Sequence, residues 1–275
     1  MRRELKDPRI AGGFALAAIL VFVAALGRWL APHDPFALDL LHSYEGPSAA
    51  HWLGQNQDGE DLLSQILVGT RTSLLVGVLV VAFSATTGVL LGAVAGWFGG
   101  RIDAAVSAVI DFLLAFPGIL LAIAVTAVVP EGGLWRVILA LSLRGWVGYA
   151  RLTRGQVLSL RERPYIEAAR ALGAGHGRIL FRHLLPNAMS PVLVEATFGL
   201  AGAIRDEAAL SFLGLGVEPG TPSWGALLST GRQYLLVAPH IAIFPGVAIM
   251  ITILAFNFLG DGLRDALDPR GAARS

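Results

Sequence analysis

From Thr72 to Phe98 the chain runs for 27 residues without one charged side chain. A bilayer core takes about 20 predominantly apolar residues per helix, so this stretch is long enough to cross a membrane. Five more stretches have similar character: roughly 10 to 31, 103 to 129, 134 to 150, 188 to 213 and 237 to 260. With 55% hydrophobic and 15% charged residues and a mean hydropathy of +0.64, the chain exceeds what a water-soluble core of this size needs. The expected fold is all-α, a polytopic membrane bundle of six transmembrane helices. Segment 134 to 150 is the shortest. Its Arg144 would have to extend toward the inner interface beside Trp146 and Tyr149, and an amphipathic re-entrant segment is the alternative there.

The basic residues set the orientation. With the N-terminus inside, segments 1 to 9, 99 to 102, 151 to 187 and 261 to 275 carry 15 Lys and Arg residues, against two in the outer segments 32 to 71, 130 to 133 and 214 to 236. That asymmetry predicts cytoplasmic termini. The first span follows Arg2, Arg3, Lys6 and Arg9 as a secretory signal would. It is too long for one, and Arg28, Trp29 and Pro32 end it without a small-x-small cleavage site, so it reads as an anchor. The chain divides into residues 1–71, an anchor helix with an external cap loop, and residues 72–275, the core membrane domain with a cytoplasmic loop at 151–187.

Other chemistry is bounded by what is missing. The chain has no cysteine, hence neither disulfides nor thiolate metal sites. Its only lysine is Lys6, so no GxxxxGK[ST] phosphate loop can form. If ATP is used, another chain hydrolyses it. A net charge of +1 gives no bulk attraction to nucleic acid. In the outer loop His33, His42 and His51 stand among acids, but their spacing matches no compact ligand pattern, and no metal site is expected.

Within the spans, Gly88, Gly92 and Gly96 recur every four residues on one helix face, which lets two helices approach closely in lipid. Pro117 and Pro245 leave carbonyls unpaired in mid-span and call for a kink, a neighbour or a water.

The loop 151–187 stands apart. It holds Arg151, Arg154, Arg161, Arg163, Arg170, Arg178 and Arg182 against Glu162 and Glu167. Topology alone needs such charge, but not helix punctuation. Pro164 fits a first helical position, Glu167 falls in the first turn, and Gly173 can close the helix in the left-handed region. The expected helix has about nine residues and a length of roughly 13 Å, with a flat surface from Ala168, Ala169 and Ala171. A second short helix is expected from about His176 to Leu185, ended by Pro186.

EAARALG followed by RHLLPN resembles the EAA loop of the membrane subunits of prokaryotic ABC importers. Glu167, Ala168, Ala169, Gly173, Leu185 and Pro186 fall on that pattern, with His183 at a usually apolar place. HWLGQNQDGEDLLSQILVGTRTSL (51–74), DFLLAFPGILLAIA (111–124), LSFLGLGVEPGTPSWGALLSTGR (210–232) and AFNFLGDGLRDALDPR (255–270) resemble the dipeptide, oligopeptide and nickel branch, most closely its second permease type. The resemblance covers about residues 10 to 270 and implies a type I importer fold in the prokaryotic cytoplasmic (inner) membrane.

It further implies that the helix bearing Glu167, Ala168, Ala169 and Arg170, with Gly173, Leu185 and Pro186, seats in a separate cytoplasmic ATPase that holds ATP and Mg. Two such ATPases, a second permease subunit and an extracytoplasmic solute-binding protein would complete the system. The cargo would be peptides or related small solutes, nickel chelates included.

Two departures stand out. Where the family often reads LGTDxxGRD, Asn56 and Glu60 occupy the Asp and Arg places. In GAIRDEAALSFLGLG, Arg205 and Asp206 are unusual, and Glu195 stands where an amide is common. Charges inside a bilayer normally face a bundle interior or an aqueous path. Glu195, Arg205 and Asp206 are therefore translocation-path candidates, the alternative being that Arg205 and Asp206 pair at the outer interface. Asp111 either lines the path or makes a packing hydrogen bond. No nucleophile, base and orienter set is present, so no catalytic site is expected. An ion-coupled secondary transporter working through Asp111 or Glu195 is the competing reading, although no inverted repeat is visible.

Overall fold

The computed structural model describes residues 8–129, 133–218 and 220–267. Arg2, Arg3, Lys6, Arg270 and Arg274, which weigh in the orientation argument, lie outside the described residues, as does most of the short outer segment 130–133. Among the described residues the architecture is helical: α1 (Pro8–Leu30), α2 (Leu62–Phe98), α3 (Gly100–Leu114), α4 (Gly118–Val128), α5 (Gly133–Leu160), α6 (Pro164–Ala171), α7 (His176–Ile179), α8 (Leu185–Phe212), α9 (Trp224–Arg232) and α10 (His240–Leu267).

The six expected spans are only partly matched. Among the described residues four helical stretches are long and apolar enough to cross a membrane: Ala11–Leu30, Leu62–Phe98, His176–Phe212 and His240–Leu267. The stretch read as one span from 103 to 129 is two helices, α3 and α4, bent by 90°. The cause is local. Pro117 sits in the extended region (φ −57°, ψ 130°) as the N-terminal cap of α4, and the residue before a proline is itself disfavoured in the helical region. Pro117 therefore breaks the span, whereas Pro245 is carried inside a continuous α10. The segment 134–150 belongs to the 28-residue α5, which its arginines keep out of the set of apolar spans.

Helix α5 is nevertheless embedded along α2. A Cβ at Gly88 would collide with the Trp146 carbonyl and one at Gly92 with the Ala150 carbonyl, and at Gly96 it would lie 3.0 Å from the Arg154 carbonyl. The pairing advances in the same direction on both helices, so α2 and α5 run parallel. The glycine stripe is thus the seat of α5, because small residues let backbones meet where lipid offers no hydrophobic drive. At one end of this seam Asp103 of α3 takes Arg154 of α5 in a two-pronged pair, Nε to Oδ1 at 2.5 Å and Nη2 to Oδ2 at 2.7 Å.

At the opposite end, α9 folds back into the bundle. Ser223 caps it by accepting from the Ala226 amide, and the almost fully buried Trp224 donates its indole N–H to the Ile66 carbonyl at 3.1 Å. Glu207 of α8 accepts from Ser211 and Ser223 through one carboxylate oxygen, which ties α8 to the start of α9. Helix α1 lies against α10 and α2, with Gly13 against Phe258 and Gly27 against the Leu67 carbonyl.

The cap between α1 and α2 is held mostly by backbone bonds and a short polar network. Asn56 donates to Glu60 Oε2 at 2.7 Å and to Gln65 Oε1 at 3.1 Å, while its own carbonyl accepts the Asp58 and Glu60 amides. The exchange of an acid and a base for Asn56 and Glu60 therefore keeps a closed local turn: the amide donates and the carboxylate accepts.

Candidate functional site

Helix α6 is built as its punctuation predicts. Pro164 occupies the first turn, where its missing N–H costs nothing. Gly173 has φ +79°. Its amide donates to the Arg170 carbonyl at 2.9 Å, and the Ala174 amide reaches the Ala169 carbonyl at 3.0 Å, the paired bonds of a Schellman termination. The helix has eight residues. Ile166, fully buried, pins one face. Burying such a side chain contributes roughly 1.5–3 kcal/mol. Glu167, Ala168, Arg170 and Ala171 are exposed, and Glu167 has no hydrogen-bond or ion-pair partner among the described residues.

Three contacts fasten this loop to the last turn of α2. Arg161 donates to the Gly96 carbonyl at 3.0 Å. Trp97 donates its indole N–H to His176 Nδ1 at 3.2 Å. The Arg170 guanidinium lies over the Trp97 ring, 4.5 Å from its centroid. Beneath them Ala93, Trp97, Val157, Ile166, Ile179 and Leu184 form one apolar cluster, with Leu185 of α8 packed against it, that joins α2, α5, α6, α7 and α8. Sequence reasoning missed Trp97 and His176, since an aromatic residue at a span end is ordinary and carries no signal of its partner.

The second short helix does not end at Pro186. Helix α7 passes into a π-helical turn, Leu180–Leu184, and then into α8, where Pro186 lies in the first turn. The wider turn removes the need for the proline's absent N–H, so the segment from His176 to Phe212 is one continuous rod. Leu185 is half-buried and Pro186 exposed on that rod. His183 lies in the π turn, its carbonyl accepting from Asn187 Nδ2 at 2.6 Å.

Of the polar residues singled out in the membrane, the fold gathers two. Glu195 and Asp206 line a cavity of about 170 Å³ with Ser84, Tyr149 and Gly199. The Ser84 and Tyr149 hydroxyls are enclosed there without a hydrogen-bond partner. Glu195 also lines a larger cavity toward Arg264, and Asp206 a third beside Arg144 and Arg151. Arg205 pairs with Asp206, Nε to Oδ1 at 3.0 Å, and both are substantially exposed. Asp111 projects from the exposed side of α3 and makes no side-chain hydrogen bond among the described residues.

The outer cap brings together what chain spacing kept apart. One ligand atom each from His33, His51 and Asp61 lies within 4.8 Å of the others. His51 Nδ1 is 2.9 Å from Asp61 Oδ1, while Asp61 Oδ2 accepts from the Ser64 amide and hydroxyl and so caps α2. This arrangement already accounts for Asp61 as a helix cap held by an imidazole. His42 stands apart with Asp39 at 2.7 Å, a contact that raises its imidazole above the ordinary range.

A broken apolar bundle, polar cavities within it and a basic helical loop fixed to its end define a membrane-embedded transport subunit. Residues 88–272 match the family described as binding-protein-dependent transport system inner membrane component. The glutathione transport system permease protein GsiD of Pectobacterium atrosepticum is 46% identical over 272 residues, covering 98% of this chain and 89% of the relative. The GsiD protein of Escherichia coli shows the same identity and coverage. Among solved structures, an inward-facing form of the MetNI methionine ABC transporter aligns with a TM-score of 0.57 at 24% identity over 73% of this chain and 94% of that one. A second crystal form of it gives 0.58 over 74% and 96%. The chain belongs to the binding-protein-dependent transport system inner membrane component family, the permeases of ABC importers. It is a multi-pass inner-membrane protein whose working partners are an ATPase and a solute-binding protein, as the EAA loop and its flanking stretches led one to expect.

Proposed function

We propose that the chain is one of two permease subunits of an ATP-driven importer for peptides or peptide-like small solutes, and that α6 is the element through which ATPase closure moves the bundle. The observation that carries this reading is the construction of α6. It is a short rod, terminated at both ends, anchored by Ile166 and exposing Glu167, Ala168, Arg170 and Ala171. A helix of eight residues is marginal alone but transmits displacement when both of its flanks are fixed.

In this reading the loop 151–187 and both termini are cytoplasmic, and two separate ATPases hold ATP and Mg. The cap around Asn56 and Glu60 faces an external binding protein. Gly173, Leu185 and Pro186 hold the exit from α6 and the entry to α8, so movement of the peg is passed to a rod that continues to Phe212. Glu195 and Asp206 line the path between this chain and a second permease, with Arg205 paired to Asp206. Similarity to the GsiD permeases supports a peptide-like cargo such as glutathione. Two states of the bundle, biased by the nucleotide state of the ATPases, then suffice for alternating access.

The test is reconstitution in vesicles with two ATPases, a second permease and a solute-binding protein from the same organism. Peptide uptake should require ATP hydrolysis. Uptake that continues without hydrolysis and collapses with an ion gradient would instead establish secondary transport.

A further inference from the structure

Arg144 is half-buried on α5. A Cβ on the adjoining Gly145 would strike Ser84 Oγ, so Arg144 lies at the level of Ser84 on α2. Ser84 precedes the end of α2 at Phe98 by 14 residues, about 21 Å at 1.5 Å per residue. Against a hydrocarbon core about 30 Å thick, a layer beginning near Phe98 holds this level of α5 within its apolar part, about 9 Å from the far face. An arginine at such depth is costly unless it meets a carboxylate, a carbonyl or an aqueous cavity.

Among the described residues Arg144 has no hydrogen-bond or ion-pair partner, and its Nε is shielded from solvent. Asp206, the acid that shares its cavity, is engaged by Arg205 at 3.0 Å. The fork is held in place by packing instead. It lies against Gly118, the first residue of α4 after the 90° break, where a Cβ would come within 2.7 Å of Nη1 and 3.2 Å of Cδ. Any larger residue at 118 would push it aside.

The cavity it faces has a volume of about 310 Å³, with Gly118, Ala122, Gly148, Arg151 and Asp206 in its wall. Arg151 follows Arg144 by seven residues, which puts both on one face of α5 about 10 Å apart along the axis. The volume is at the lower end of small-molecule sites, and the wall carries two guanidinium groups but only one acid, itself paired.

We infer that Arg144 binds a carboxylate of the transported solute, and that Arg151 is the next basic position on the same wall. The inference rests on the transport reading above and narrows its cargo to small solutes bearing at least one carboxylate, for which a free peptide C-terminus qualifies. A guanidinium fork receives a carboxylate through two parallel hydrogen bonds. Entry of the solute therefore supplies the partner that the protein withholds.

The experiment uses the complete reconstituted complex with radiolabelled glutathione and dialanine as probes. It compares wild type, Arg144→Gln and Arg144→Lys, and checks assembly of every variant by size exclusion. Arg144→Gln should assemble normally yet lower uptake about ten-fold or more, chiefly through a raised KM, while Arg144→Lys should recover part of the loss by keeping the charge. Unchanged uptake in Arg144→Gln overturns the assignment. Loss of the second permease from the Arg144→Gln complex also overturns it, because the arginine then pairs with an acid of that subunit. A wild-type complex that accumulates neither peptide with ATP overturns the transport reading itself.

Discussion

The guanidinium of Arg170 lies over the ring of Trp97, 4.5 Å from its centroid, and joins the exposed basic helix α6 to the final turn of α2. Because Trp97 also donates to His176 at 3.2 Å, one side chain holds both arms of the loop against the longest helix of the bundle. In the proposed coupling, a displacement of α6 would thereby be passed to α2 as well as to α8.

Trp97→Leu should loosen that link. The ring is buried, and its replacement removes a cation–π contact worth about 0.5–1 kcal/mol and a hydrogen bond worth about 1 kcal/mol. Uptake per ATP hydrolysed should fall several-fold in reconstituted complexes. Trp97→Phe, which keeps a ring beneath Arg170, should lie between the two.

Gly92→Val should separate α2 from α5. The glycine's missing side chain is where the Ala150 backbone sits, so a branched residue forces the parallel pair apart, and overpacking of this kind costs about 1–3 kcal/mol or more. The thermal midpoint of the detergent-solubilised protein should drop by several degrees. Gly155→Ala is the control: a Cβ there meets nothing within 4 Å, and the change should be neutral or slightly stabilising.

Asp103→Asn should weaken the attachment of α3 to α5. The pair with Arg154 is two-pronged, and its side chains are 21% and 35% exposed, so solvent screens it in part. About 1 kcal/mol is expected, read as a lower midpoint in thermal or denaturant unfolding. The exchange Asp103→Arg with Arg154→Asp should restore part of it, and a double-mutant cycle gives the coupling directly.

Much of this fold is local and could be read from the chain. Pro164, Glu167 and Gly173 dictate the start, the charge placement and the end of α6 within ten residues, and Gly88, Gly92 and Gly96 mark a helix seam by their spacing. Where the structure departs, a local rule had two outcomes. Pro186 could end a helix or occupy its first turn, and the π turn before it decides for the second. Pro117 could kink or break its span, and the capping role it takes at α4 makes a break. Other features depend on partners far along the chain. His33, His51 and Asp61 meet only once the cap folds over the start of α2. Arg144 and Asp206 share a cavity wall only once α5 and α8 pack, and Asp206 is held there by its neighbour Arg205.

The claim that α6 carries the motion is tested most directly by measuring ATP hydrolysis and peptide uptake together in vesicles for Glu167→Lys and Gly173→Val. The first reverses the charge on the exposed face of the peg, and the second puts a branched residue at φ +79°, where only glycine is at ease. Both variants should insert into the membrane while uptake per ATP hydrolysed falls about ten-fold or more. Normal uptake in both would contradict the account.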